Sequence, residues 1–175
     1  MEDIKDRLTE RNYFFLKRFQ EYIGNELLFF GSIKRCDFLF NHSDIDIAII
    51  TDNIEDTVTK LKFFLDIDNG KMRKIVQKFS NDTKIVYGYK TNYDDIDNKL
   101  SLEIVIYDEK YKNQVLKSIN NINNFPFYIS YFLLFIKILY YKLNIIPKEI
   151  FNFLKKNTIK RYLNQTPDNL IAIKI

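Results

Sequence analysis

Apolar residues recur at helical spacing over the first 25 residues, at Ile4, Leu8, Phe15, Phe19 and Tyr22, with a stop at Gly24-Asn25. That pattern predicts an amphipathic helix. The run Leu27 to Phe30 then reads as a short strand leading into Gly31-Ser32, and Ile45 to Ile50 as a β-branched strand ending at Thr51-Asp52-Asn53. Ile54, Val58, Leu61 and Leu65 return to helical spacing, and a polar loop follows around Asn69-Gly70. Short strands are predicted over 75–79 and 85–89 with a turn at Ser80-Asn81-Asp82, then a loop over 91–98. Leu100 to Tyr107 alternates strongly and reads as a strand, and Tyr111 to Ile122 as a helix. After the break at Asn123-Asn124-Phe125-Pro126 comes the longest apolar helix, 127–143, then one starting at Pro147 and running through Lys156. A loose or docked tail lies beyond Pro167. The expected fold class is α+β, a mixed β-sheet flanked by helices with a short helical C-terminal extension. Residues 1–122 form the core, and 123–175 pack on it.

The 175 residues, 46% of them hydrophobic, suffice for one domain with a real core and argue against disorder. One cysteine (Cys36) and one histidine (His42) exclude a disulfide scaffold and a multi-cysteine zinc site, and leave a Ser-His-Asp triad little to work with. Cys36 reads as a packing residue and His42 as a loop residue within reach of a ligand. The charged N-terminus lacks an apolar signal segment, and the apolar part of 125–143 is interrupted by Lys137. A cytoplasmic protein with no membrane span and a buried core helix is expected. The net charge of +4 is unevenly spread, with 16 Lys/Arg against 21 Asp/Glu over 1–109 and 11 against 2 over 110–175. That split fits either a metal-and-phosphate site beside a polyanion-holding surface or compositional drift.

The chemistry concentrates in Phe29-Phe30-Gly31-Ser32 and Asp44-Ile45-Asp46-Ile47. Strand alternation puts Asp44 and Asp46 on one face, separated by about 7 Å along the strand, opposite Ile45, Ile47 and Ile49. Two carboxylates so placed repel each other unless a cation or proton intervenes, and Mg²⁺ is commonly held by one or two carboxylates plus substrate phosphates. Read in isolation, Asp44 is a turn residue and Asp46 an exposed strand position, and it is the context that changes the reading. A glycine directly after a strand allows close backbone approach to a ligand, and Ser32 adds a hydroxyl. Glu103 follows on a later strand, either as a third ligand or as an outward-facing residue on an edge strand, with Asp95 and Asp97 as alternatives. Three such acids can hold two divalent ions about 4 Å apart.

Phe30-Gly31-Ser32, Asp44-Ile45-Asp46-Ile47 and Glu103 together resemble the signature of the DNA polymerase β-like nucleotidyltransferase superfamily, over residues 26–108. A second resemblance, over 131–140, is to the helix of poly(A)-polymerase-like members in which a lysine, here Lys137, reaches the triphosphate. The resemblance implies Mg²⁺ (or Mn²⁺)-dependent transfer of NMP from an NTP, ATP among the candidates, to a hydroxyl of RNA, a protein side chain or a small molecule, releasing pyrophosphate. Asp44, Asp46 and Glu103 would be the catalytic metal ligands. Gly31 and Ser32 would hold phosphate oxygens, assisted by Lys34, Arg35 and Lys137. Tyr140 and Tyr141 are candidates to stack on a base, and Lys155, Lys156, Lys160 and Arg161 to contact RNA phosphates. The alternative is a non-catalytic nucleotide- or RNA-binding subunit of the same fold. In either case a partner subunit is a possible component.

Overall fold

The computed structural model describes residues 1–78, 85–163 and 170–173. A six-stranded sheet runs β1 (Leu27–Phe30), β2 (Ile45–Thr51), β5 (Leu100–Asp108), β4 (Ile85–Asp95), β3 (Arg73–Lys78) and β6 (Leu170–Ile173) in spatial order. Only β2 and β5 are parallel neighbours. All other pairings are antiparallel, so the sheet is mixed and the class α+β.

Both faces are covered. One face carries Phe29, Ile45, Ile47, Ile49, Leu102, Ile104 and Ile106 and packs against α1 (Glu10–Ile23) and α2 (Ile54–Leu65). Each fully buried side chain of that kind contributes roughly 1.5–3 kcal/mol relative to exposure. The other face places Ala48, Val105 and Tyr107 under Val115 and Ile119 of α3 (Lys112–Asn123). Asp46 and Glu103 belong to this second face by register. Glu103 therefore lies on a central strand, between β2 and β4, and not on an edge.

Several boundaries differ from the expectation, each for a local reason. The first helix does not run unbroken. Residues Glu2–Arg7 form a 3₁₀ turn, Leu8 is extended, and the Thr9 side chain caps α1 by accepting from the Asn12 amide. The loop expected from Thr91 is strand as far as Asp95, because β5 extends beside it and pairs residue for residue from Gly88 to Asp95. The α-helix α4 (Phe127–Lys137) passes into a π-helical turn over Ile138–Lys142, and α5 (Lys148–Leu163) outlasts its expected end at Lys156. Ser130, Leu133, Ile136 and Lys137 form the buried face of α4, whereas Phe127, Tyr128, Tyr131 and Phe135 are exposed, so it is not a core helix all round. Leu170–Ile173 adds to the sheet as β6. The turn expected at Ser80-Asn81-Asp82 and the start of the tail at Pro167 lie outside the described residues. Among the described residues no single helix is long and apolar enough to cross a membrane.

Candidate functional site

The end of β1 is built around a close approach. Gly31 has φ +75°, in the left-handed region, and a Cβ there would overlap the Asp46 carboxylate. Phe30 pairs with Asp46 across β1–β2, and Asp46 pairs with Glu103 across β2–β5. Register therefore puts the two acids side by side on the same face. The Asp46 carboxyl is pushed up to about 7, first by burial and then by the negative charge of Glu103. Asp44 adds to the shift, while Lys155 and Lys90 oppose it. Glu103 accepts an ion pair from Lys90 Nζ at 2.6 Å.

Asp46 opens into a cavity of about 220 Å³ between the end of the sheet and the C-terminal helices. Gly31, Ser32, Asp44 and Asp46 line one wall, and Arg35, Asp37, Lys137 and Lys155 also face it. Asp44 is exposed at its mouth, one residue before β2 begins. Ser32 is buried, and its hydroxyl makes no hydrogen bond among the described residues. The Gly31 amide, in contrast, already donates to Asn123 Oδ1 at 3.0 Å.

The cations implied by the resemblance are differently placed. Lys34 does not line the cavity and pairs with Asp3 on the surface. Arg35 is buried and forks onto Asp37, with Nε donating to Oδ1 at 2.8 Å and Nη2 to Oδ2 at 3.2 Å. Its Nη1 donates to the Ile122 carbonyl, and the guanidinium lies 4.5 Å from the Phe125 ring centroid. Lys137 is buried too, and its ammonium donates to the Asp37 carbonyl (2.7 Å), Asp37 Oδ2 (3.3 Å) and Ser43 Oγ (3.1 Å). Burial holds the Lys137 amine below its ordinary value, against the opposing pull of Asp37. The inward turns of Arg35 and Asp37 leave Cys36 between them facing solvent, so it is not a packing residue.

Comparison with protein-family models and with curated proteins finds no match. The reading of the site rests on its own geometry.

Among the described residues, no three His, Cys, Asp or Glu side chains form a ready-made metal cluster. The donor chemistry nevertheless suits a hard divalent cation. Asp46 and Glu103 are adjacent carboxylates whose mutual repulsion shows in the raised Asp46 value, and Asp44 acts on the same group. Asp95 caps the β4–β5 turn instead, accepting from the Asn98 amide, and Asp97 does not line the cavity. Tyr140 stacks on Phe151 (4.6 Å, 9°) within the helical cluster, whereas Tyr141 lines the cavity and stacks on His42 (5.0 Å, 27°). The π turn that carries both tyrosines is a feature often found at functional sites.

Asp37, Lys90 and the cavity position of Lys155 escape the sequence reading of the site. Asp37 carried no signal, since a lone Asp in a loop does not announce that it will collect two cations. Lys155 was grouped with a basic cluster. Its position between Phe151 and Ile159, in an i, i+4, i+8 stripe, was the available clue.

Proposed function

We propose that the chain is a divalent-cation-dependent nucleotidyltransferase of the polymerase β-like type, transferring NMP from an NTP to a hydroxyl acceptor. The observation that carries this reading is the register of Asp46 beside Glu103, with Gly31 leaving room for the Asp46 carboxylate at the cavity wall. A binding-only surface has no use for a carboxyl buried beside a second carboxylate that raises its proton affinity. The balance is simple: the acceptor oxygen bonds to the α-phosphorus, the bond to the bridging oxygen breaks, and pyrophosphate and the hydroxyl proton leave. Such transfer needs positioning and charge neutralisation, and requires neither a cysteine nor a histidine nucleophile.

Asp44, Asp46 and Glu103 are the residues that would hold Mg²⁺ or Mn²⁺, which when bound supplies neutralising charge to the phosphates. Ser32 offers an uncommitted hydroxyl beside them. Tyr141, at the mouth, offers a ring for a base. Transfer to RNA, to a protein side chain and to a small molecule remain three acceptor classes for the same centre.

The test is pyrophosphate release from each NTP with Mg²⁺ or Mn²⁺, comparing wild type with Asp46→Ala. Release that depends on metal and disappears in the variant supports the reading, and release that survives the substitution removes it. The Lys90–Glu103 ion pair favours one second reading, a nucleotide-binding subunit without turnover, because it occupies one of the three acids. Metal-dependent NTP binding with no pyrophosphate release from any NTP would select that reading.

A further inference from the structure

We propose that Lys155, on the C-terminal helix α5, is the side chain that binds the phosphate tail of the ligand. The inference rests on the nucleotide-site reading above and names the residue that supplies the charge.

Three cations face the cavity: Arg35, Lys137 and Lys155. An ammonium has three N–H donors. Those of Lys137 are matched by the Asp37 carbonyl, Asp37 Oδ2 and Ser43 Oγ, so it reaches no ligand without breaking that set. Arg35 is held by Asp37, the Ile122 carbonyl and the Phe125 ring. Lys155 alone of the three is exposed, and it makes no hydrogen bond or ion pair among the described residues.

Its position is fixed by its neighbours on the helix. Phe151, Lys155 and Ile159 lie one turn apart and all line the cavity. Phe151 is buried against Tyr140 and belongs to the cluster with Phe125, Leu133 and Ile136, which Ile159 also joins. The two apolar residues thus anchor the helix face, and the ammonium between them is carried to the opening. There it acts electrostatically on both Asp46 and Lys137.

The charge balance gives this cation an anionic ligand. Arg35, Lys137 and Asp37 leave one positive charge over, and Lys155 adds a second to the same side. Asp44 and Asp46 line the same cavity, and a divalent cation held by these acids would offset their charge and leave the positive side for an anion. A polyphosphate that shares a divalent cation with the acids and turns its free oxygens to Lys155 satisfies both sides at once. On this account α5 is a working wall of the site, supplying the charge that Lys137 cannot.

The experiment titrates full-length wild type, Lys155→Ala and Lys155→Arg with Mg²⁺–ATP, Mg²⁺–GTP, Mg²⁺–CTP, Mg²⁺–UTP and Mg²⁺–tripolyphosphate by calorimetry. The expected result is affinity about 10-fold or more weaker in Lys155→Ala for tripolyphosphate and for every NTP that binds wild type, retained within about 3-fold in Lys155→Arg. The apo melting temperature should be unchanged in both, because the side chain is exposed. Unchanged affinity in Lys155→Ala overturns the inference while leaving the nucleotide site standing. Equal weakening in both variants also overturns it, since charge would not be what matters. If wild type binds none of the five probes, the inference and the reading beneath it fall together.

Discussion

Two groups of charged side chains share one cavity and behave in opposite ways. Arg35, Asp37, Lys137 and Ser43 are closed on themselves, with nearly every strong donor matched to an acceptor within the group or its backbone. Ser32, Asp44, Asp46 and Lys155 form the open group, in which like charges crowd and donors have no protein partner. Burial alone does not separate them, for Ser32 is as buried as Arg35. The distinction is satisfaction. A closed network fixes the cavity's shape, holding the β1–β2 loop to α4 and to the end of α3. The open group keeps interactions available for something not part of the chain.

The closed group should give the largest response to a single change. Asp37 is fully buried and is the shared counter-ion of Arg35 and Lys137. Asp37→Ala strands two buried cations and should cost about 3–5 kcal/mol. For a chain of this size that lowers the melting temperature by roughly 10 °C. Lys137→Met should cost clearly less, because Arg35 still neutralises Asp37. Thermal unfolding of the two variants checks the order, and a milder Asp37→Ala would mean the network is not closed as described.

Between the two groups stands Gly31. Its left-handed backbone disfavours any L side chain, and a Cβ would displace the Asp46 carboxylate. Gly31→Ala should therefore reduce metal-dependent pyrophosphate release about 100-fold or more through misplacement of one acid. Its stability cost should stay near 1–2 kcal/mol. Comparable kcat/KM in the variant and wild type would show that the close approach has no bearing on the chemistry.

The open group makes a prediction of opposite sign. Asp46 titrates at about 7 in the folded chain against an ordinary 3.8. Between those values the folded state keeps a proton that the unfolded chain has released, so this carboxyl lowers stability progressively as pH rises from about 4 to 7. Asp46→Asn removes that cost. At pH 8 in EDTA the variant should melt about 2–6 °C above wild type, while at pH 4 the difference should vanish. A stabilisation of the same size at both pH values would mean that charge is not its source.

Strand patterning makes Gly31, Ser32, Asp44 and Asp46 legible in the sequence, and leaves the places of Lys155 and Asp37 hidden. Period-2 alternation is local, so the shared face of Asp46 and its neighbours followed from the chain itself, and Gly31 after a strand signalled close approach. Asp46 and Glu103 meet through the β2–β5 pairing, 57 positions apart in sequence, a distance no local pattern fixes. The Asp37–Lys137 contact spans 100 positions and leaves no periodic trace. The breaks in helical pattern were obscured for a related reason. The apolar run through 127–143 does not reveal that a π turn will carry both Tyr140 and Tyr141 onto Phe151 and leave Tyr141 also lining the cavity.

Lys34 and Lys155 sharpen the comparison at its smallest scale. Both are lysines near the site, and by sequence proximity to Gly31-Ser32 the first is the better phosphate ligand. In the fold its ammonium turns away to Asp3, and it does not line the cavity. An exposed ion pair of that kind contributes about 0–1 kcal/mol. Lys34→Ala should therefore leave NTP affinity within about 2-fold of wild type and shift the melting temperature by no more than about 2 °C. The same titrations that test Lys155 decide it. A loss of affinity in Lys34→Ala equal to that in Lys155→Ala would mean that nearness in sequence, and not an uncommitted ammonium in the cavity, predicts which cation holds the ligand.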